Sequence, residues 1–222
     1  MLLLAQAASA AGSLRVAPTR LDLPAERRAV AVTVQNTGSS PTLLQLEPKK
    51  WSQESGSDDY AVTDDLIVSP PIFTLDPGAE QVVRVGRRDG APVTTELAYR
   101  LFIQEVPTPG STAPRELNVV LRVGVPVFAT PAHAPESALE WHLQCRDAAP
   151  PVLVAVNRGG RAVRLDELNV HTNGMDHLEH AIYVLAGATR VLSLNDLPAS
   201  TQRVELVAHG GQKQIEGSAA CN

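Results

Sequence analysis

The sequence predicts an all-β protein of two immunoglobulin-like sandwiches, and three observations carry this prediction. Short stretches that alternate apolar and polar residues recur along the chain, for example AVAVTVQN at 29–36 and QVVRVGR at 81–87. Pro (17 residues) and Gly (15 residues) are frequent and scattered, as in proteins of many short strands and turns. No window keeps a helical period over three turns, so strands rather than helices are expected throughout.

Length and charge limit the classes of function. A chain of 222 residues suits one large domain or two of about 100 residues each. The net charge of −5 is mild and spread out, unlike the basic surface of a nucleic-acid-binding protein or a polybasic membrane patch. We therefore expect no nucleic-acid partner.

The N-terminus has the features of an export signal. MLLLAQAASAAG is a short apolar run that ends in small residues, and ASA at 8–10 matches the A-x-A rule for signal-peptide cleavage. No basic segment precedes the run, so residues 1–12 are interpreted as a signal remnant, with the mature chain starting near 11–13. A frayed apolar terminus is the alternative.

In the first half of the chain, strand-like segments alternate with turn signals. In order, the segments are LRVAPTRLDL, AVAVTVQN, TLLQLEPKKW, YAVTDDLIVSPPIFTL, EQVVRVGRR and ELAYRLFIQEVP. NTGSSP and SQESGSDD separate three of them, and in DPGA at 76–79 the Pro and Gly are placed for a type II turn. Seven or so short strands in about 115 residues are typical of an immunoglobulin-like sandwich.

The composition changes after Phe128. ATPAHAPESA at 129–138 is rich in Pro and Ala, which suits a bend between domains. A second series of strand-like segments follows, beginning with LEWHLQC and PVLVAVN, and NRGG and HGGQ are hairpin signals within it. Placing the boundary near residue 131 gives an N-terminal domain of 13–131 and a C-terminal domain of 132–222.

The chain contains two cysteines, Cys145 and Cys221. An even count in an exported chain fits one disulfide, and two buried free thiols are the alternative. No C-x-x-C pair or His/Cys spacing typical of a metal site is present in the sequence, so no cofactor is expected.

The segment LNVVLRVGVPVFATP, at 117–131, is unusually long and apolar. Every second position from Leu117 to Val127 is apolar, whereas the opposite face is mixed. The run is about twice the usual strand length of roughly five or six residues, and such ribbons invite aggregation at a sheet edge. Alternation alone is compatible with two interpretations: the apolar face packs inside its own sandwich, or it packs against another molecule.

Several segments together resemble the PapD-like periplasmic chaperones of the chaperone–usher pilus pathway. They are LIVSPPIFTLDPGAEQVVRV at 66–85, AYRLFIQEVP at 98–107, the long apolar strand, the opening LRVAPTRLDL and the NTG turn. The resemblance covers nearly the whole chain, strongly in the first half and weakly in the second. It implies two immunoglobulin-like domains arranged as an L in the periplasm, with the ligand in the cleft and along the last strand of the first domain.

The resemblance also implies how such a chain acts. Pilin subunits of this pathway lack the final strand of their sandwich, and the chaperone lends its long strand before delivering the subunit to an outer-membrane usher. Strand addition supplies main-chain hydrogen bonds while alternate side chains fill pockets. The expected donor side chains are Leu117, Val119 and Leu121, with Val123 as a further candidate. Self-association of the free chaperone is left open.

A cationic anchor is the second implication of the resemblance. The best-known members hold the subunit's terminal carboxylate with an Arg on the first strand, matched by Arg20, and a Lys on the long strand. Pro126 stands where that Lys is expected and cannot bind a carboxylate. Arg100, on the strand expected to pair with the long one, is the leading substitute, followed by Arg122, since a guanidinium grips a carboxylate through two hydrogen bonds. The departure suggests a divergent branch similar to archaic usher systems; an ordinary surface role is the alternative for each Arg.

An acidic contact between the domains is also expected from the resemblance. Glu105 stands where family members carry an acidic residue that helps to fix the interdomain angle, and Asp196 is a candidate for the same network. Thr130 replaces the usual Arg partner.

Two other classes of function were weighed. An exported two-domain immunoglobulin-like adhesin or binding module would bind through loops and tolerate polar changes on the long strand. An exported enzyme would use His171, His177 and His180 as metal ligands, but their spacing matches neither H-E-x-x-H nor a zinc finger, and we expect this segment to be a loop. The sequence has no nucleophile elbow, P-loop or dinucleotide fingerprint, so we expect neither catalysis nor a small-molecule substrate.

Overall fold

The structure is a computed structural model that describes residues 14–89, 93–107, 120–211 and 213–221, and every regular element in these ranges is a β-strand. The first ten strands are β1 (Leu14–Ala17), β2 (Leu21–Pro24), β3 (Ala29–Asn36), β4 (Thr42–Ser52), β5 (Asp59–Val62), β6 (Leu66–Ser69), β7 (Ile72–Leu75), β8 (Glu80–Arg87), β9 (Leu97–Glu105) and β10 (Arg122–Thr130). The next seven are β11 (Leu139–Arg146), β12 (Ala149–Asn157), β13 (Val163–Thr172), β14 (Met175–Val184), β15 (Thr189–Ser193), β16 (Arg203–Gly210) and β17 (Lys213–Ala220). The all-β prediction is confirmed, and the described residues include no helix that could cross a membrane.

The first ten strands form a sandwich of two sheets. One sheet has the order β1-β3-β8-β6, and the other has the order β2-β10-β9-β4-β5, with β7 also paired to β4. Alternate side chains of both sheets meet in one core because successive residues of a strand point to opposite faces. Its fully buried members include Val32, Val83, Leu101, Ile103 and Val127.

The opening segment LRVAPTRLDL supplies two strands. β1 pairs with β3 in an antiparallel manner, whereas β2 pairs with β10 in parallel in the other sheet. Pro18 lies between them and has no N–H to donate, so the first ladder ends there and the chain crosses to the second sheet.

The last seven strands form a second sandwich, with sheets ordered β11-β12-β15 and β14-β13-β16-β17. Its separate core includes Leu143, Leu165 and Leu206. A disulfide joins Cys145 on β11 to Cys221, directly after β17, with the two Cα atoms 5.5 Å apart. The disulfide prediction is therefore confirmed.

The histidine-rich segment is not the loop that we expected. β13 and β14 form a hairpin in which His171 pairs with Asp176 and His180 pairs with Glu167. The turn between the strands contains only Asn173 and Gly174, whose positive φ angles of 44° and 79° suit a tight hairpin turn.

Candidate functional site

One face of the β2-β10-β9-β4-β5 sheet points away from its own core, and we call it the outer face. Residues that pair across a ladder share a face, so Arg100 on β9 lies between Pro126 on β10 and Lys49 on β4. Val125 and Val127 point to the core, so their neighbours point the other way. The outer face carries Lys49, Trp51, Arg100, Phe102, Arg122, Gly124, Pro126 and Phe128.

The three predicted anchor arginines each lie over an aromatic ring. Arg20 lies 4.4 Å from the ring centre of Phe128, Arg100 lies 4.8 Å from that of Trp51, and Arg122 lies 3.8 Å from that of Phe102. A guanidinium within about 6 Å of a ring centre is attracted by the negative face of the ring. This stacking holds each cation in a defined position on the sheet.

The arginines differ in how their charge is balanced. The Arg20 guanidinium bonds to Asp22, at 2.8 Å from Nη2 and 2.9 Å from Nε, and Lys49 pairs with Glu47. Within the described part of the chain, no carboxylate forms an ion pair with Arg100 or Arg122. Arg100 is half-buried and Arg122 is exposed, which makes Arg100 the cation best placed to receive an external carboxylate.

Gly124 makes room for Arg100. A Cβ at this position would lie 3.0 Å from the Arg100 Nε and 3.3 Å from the Phe102 ring. Gly124 is paired with Phe102, and Pro126 with Arg100. The absence of a side chain at Gly124 therefore leaves room for the Arg100 side chain above the Trp51 ring.

The predicted donor residues differ in their surroundings. Leu117 and Val119 lie outside the described residues. Leu121 is half-buried, and its backbone exchanges hydrogen bonds with Glu105: its N–H donates to Oε2 at 3.1 Å, and its carbonyl accepts from the Glu105 N–H at 3.0 Å. Val123 is half-buried and packs against the core of its own sandwich. The donor role stays a prediction, and it depends chiefly on Leu117, Val119 and Leu121.

β10 has an open edge beside these residues. Its pairing with β9 runs from Arg122 to Ala129, whereas its pairing with β2 on the other side begins only at Val127. In the described part of the chain no strand pairs with 122–126 on the β2 side. Unpaired main-chain groups of this kind are what an added strand requires.

The expected network of Glu105 and Asp196 is replaced by another. Glu105 contacts the backbone of Leu121, whereas the carboxylate of Asp196 bonds to His177 Nδ1 at 3.0 Å inside the second sandwich. The two acids thus make separate contacts among the described residues, and one acid that does link the sandwiches is Glu96.

Glu96 binds both sandwiches through its two carboxylate oxygens. Oε2 accepts a hydrogen bond from the Thr130 hydroxyl at 2.8 Å, and Oε1 accepts one from the Ala162 N–H at 2.6 Å. Burial raises the pKa of the Glu96 carboxyl, and these two bonds and Arg20 partly oppose the shift. The sequence shows Thr130 in place of the usual Arg, but it does not identify Glu96 as the acid to which Thr130 bonds.

An aromatic cluster and one amide also contribute to the contact between the sandwiches. Trp51 and Phe128 are buried against Tyr183 of β14, with ring centres 5.2 Å and 5.9 Å from the Tyr183 ring. Gln53, only 2% exposed, donates from Nε2 to the Tyr183 carbonyl at 2.9 Å and accepts from the Leu185 N–H at 3.0 Å. Sequence reasoning missed this residue, since a lone Gln in a polar turn carries no pattern.

The three histidines do not share a site. His171 Nδ1 contacts Asp176, and His177 contacts Asp196 and, through Nε2, Glu179 at 3.2 Å. Among the residues that the structure describes, no group of three or more His, Cys, Asp and Glu side chains is arranged to hold a metal ion.

Comparison with known proteins gives a family and one curated relative. The model of the family "Pili and flagellar-assembly chaperone, PapD N-terminal domain" matches residues 13–135. The uncharacterized fimbrial chaperone YcbF of Escherichia coli (strain K12) is 27% identical over 133 residues, which is 59% of this chain and 56% of that protein. The chain thus spans just over half the length of this curated relative.

Solved structures share the fold over almost the whole chain. A chain of the CsuC–CsuE chaperone–tip adhesion subunit complex, from the archaic Csu pili of Acinetobacter baumannii, matches with a TM-score of 0.74 and 22% identity, covering 95% of this chain and all of that chain. The complex of the SafA pilin with the SafB chaperone of Salmonella enterica gives 0.68 and 19%, covering 92% and 95%. The Pseudomonas aeruginosa CupB2 chaperone gives 0.62 and 19%, covering 93% and 100%. At these identities the likeness is one of fold.

Proposed function

Because this chain belongs to the family of pili and flagellar-assembly chaperones, we propose that it is a periplasmic chaperone that binds pilin-like subunits by donor-strand complementation and delivers them to an outer-membrane usher. The observation that carries the proposal is the open edge of β10 at 122–126, beside Arg100, which has no ion pair among the described residues. An edge for strand addition and a cation for a chain terminus are the two features that such binding requires. Two of the similar structures are complexes, one of a chaperone with a pilin and one of a chaperone with a tip adhesion subunit.

The proposed donor side chains are Leu117, Val119 and Leu121, which precede the part of the strand that packs into its own core. The subunit strand would add to the open edge of β10, so main-chain hydrogen bonds hold it while these side chains enter its unfinished core. Each fully buried Leu or Val contributes about 1.5–3 kcal/mol.

Arg100 is the proposed anchor for the subunit's terminal carboxylate. Its guanidinium is pre-positioned on Trp51 and has no competing carboxylate among the described residues, whereas Arg20 would first have to release Asp22. Arg122 is proposed as a secondary cation. The proposal further assigns residues 1–12 to an export signal, 13–131 to the donor-strand domain and 132–222 to the second domain, and it includes no catalytic step.

Co-expression with a pilin-like subunit tests the proposal. Changing Val119→Asp and Leu121→Asp together is expected to abolish the soluble chaperone–subunit complex, because a charge cannot enter an apolar core unpaired. The matched control is Ile67→Asp with Val82→Asp. These two apolar residues lie on the other sheet and are 46% and 42% exposed, respectively. The control pair should leave the complex intact.

Accumulation of the subunit in soluble complex with the donor variant would contradict the proposal. Binding that survives there but is lost when loops are changed would instead point to an adhesin or other loop-based binding module.

A further inference from the structure

One carboxylate oxygen of Asp58 is the meeting point of three polar groups. Asp58 ends the turn between β4 and β5, and its Oδ1 accepts hydrogen bonds from Trp51 Nε1 at 2.9 Å and Gln53 Nε2 at 2.8 Å. Arg190 Nη1, from β15 of the second sandwich, lies 3.2 Å from the same oxygen. Asp58 therefore contacts both sandwiches at once.

Each of the three groups has a further task. Gln53 holds the Tyr183 carbonyl and the Leu185 N–H of the second sandwich. Trp51 is 3% exposed, and its ring supports the Arg100 guanidinium at 4.8 Å. A hydrogen bond at Nε1 fixes the rotation of the indole, and so fixes the surface on which the guanidinium lies.

The carboxylate of Asp58 forms its ion pair with Arg190. Burial is the largest cause of a raised pKa at Tyr60, Asp58 raises it further, and Arg100 and Arg190 lower it, so all three charges act on one phenol. Asp58 is paired with Arg190 at 3.2 Å, and among the described residues it forms no ion pair with Arg100.

We propose that Asp58 is a positioning residue. Through its hydrogen bond to Trp51 it holds Arg100 in place for a terminal carboxylate, and through Arg190 and Gln53 it links that placement to the contact between the two sandwiches. It acts through Trp51 and does not itself touch the bound chain. The inference rests on the proposed function, since Arg100 is the proposed anchor there. It predicts that changes at Asp58 alter the recognition of a carboxylate in particular, not binding in general.

The test uses one peptide in two forms, acetyl-Ser-Val-Thr-Val-Ser with a free carboxylate or with a C-terminal amide. Binding to the full chain is followed by NMR at the Arg side-chain N–H groups and at the indole N–H groups of Trp51 and the other Trp, Trp141. The ratio of the two affinities is the carboxylate preference. For the wild-type chain we expect a preference of about tenfold or more, the size of charge-assisted hydrogen bonds.

Four variants separate positioning from general stability. Asp58→Ala should lower the preference about three- to tenfold and shift the Trp51 indole signal, because the acceptor is lost. Asp58→Asn keeps an acceptor oxygen and should restore most of the preference. Asp59→Ala, one residue further along and exposed, is the matched control and should leave the preference unchanged. Arg100→Ala should remove the preference, and Asp58→Ala should then have no additional effect on it.

The possible failures are distinguishable. A wild-type preference that persists in Asp58→Ala would overturn the positioning role and leave the proposed function standing. A wild-type chain that treats both peptides alike would overturn the Arg100 anchor, and this inference with it. An effect of Asp58→Ala on the preference that remains in the Arg100→Ala background would show that Asp58 does not act through Arg100.

Discussion

Replacing Gly56 by Ala is expected to weaken the contact between the two sandwiches. Gly56 lies in the turn between β4 and β5 with a φ of +80°, and its carbonyl accepts a hydrogen bond from the Val191 N–H at 2.8 Å. A Cβ at this position would lie 2.4 Å from Val191 Cγ2. Both the backbone conformation and the close approach of β15 therefore require glycine.

The size of the effect follows from these contacts. A left-handed backbone costs about 1–2 kcal/mol for a residue with a Cβ. Relieving the collision costs about 1–3 kcal/mol when the structure overpacks, or about 0.5–1.5 kcal/mol when the turn moves away and gives up the Val191 hydrogen bond. Since the structure takes the less costly of these two routes, we expect Gly56→Ala to lower the free energy of unfolding by about 1.5–3.5 kcal/mol.

Urea unfolding measures the change in the free energy of unfolding. Hydrogen exchange at the Val191 amide measures whether its hydrogen bond to Gly56 is kept. Gly78→Ala is the matched control, because Gly78 has a φ of +77° but an added Cβ there meets nothing within 4 Å. Val191→Ala in the Gly56→Ala background should recover the collision part alone. Equal destabilisation by Gly56→Ala and Gly78→Ala, with unchanged exchange at Val191, would refute the packing argument.

Two further predictions concern the disulfide and the buried acid. Changing Cys145 and Cys221 to Ser should lower the stability of the second sandwich by about 4 kcal/mol, because the disulfide closes a loop with a sequence separation of 76 residues. Equal unfolding midpoints for the wild type and this variant would contradict the prediction. Burial raises the pKa of Glu96, so the stability that its proton contributes is present at acidic pH and lost as the pH rises through the folded-state value. Glu96→Gln cannot ionise and keeps an acceptor for Ala162. Its stability relative to wild type should therefore increase in thermal unfolding as the pH rises above the ordinary Glu pKa of 4.5, and a constant difference would count against the shift.

The strands were predictable from the sequence because burial of one face leaves a period of two. β3, β8 and β9 lie almost where AVAVTVQN, EQVVRVGRR and AYRLFIQEV placed them. The change of sheet at Pro18 was not predictable, because alternation says nothing about which partner a strand has. The strand segments AVRLDELNV and HAIYVLA were predicted, but the stretch at 171–180 was expected to be a loop, since polar and His residues dominate this half-exposed end of the β13–β14 pair.

The candidate site was partly predictable for the same physical reason. Arg100 follows from its place on the strand beside the long one, and the ladder does set it opposite Pro126. Glu96, Gln53 and Asp58 each gain their importance from groups far away in the sequence, such as Ala162, so no local pattern reveals them. Contacts between domains depend on how two finished sandwiches meet, which periodicity does not contain.

Val123 lies at the boundary between the proposed donor segment and the part of β10 that packs into its own sandwich. A side chain that enters its own core and one that enters a partner's core have the same spacing and the same apolar character, so alternation cannot separate them. From Val123 to Ala129 the odd positions are committed to the first sandwich, and β9 and β2 hold this part of the backbone. The proposed donor residues all precede Arg122. Lending the segment before Arg122 to a subunit would leave the core contacts of Val125, Val127 and Ala129 in place, because β9 and β2 hold that part of the strand.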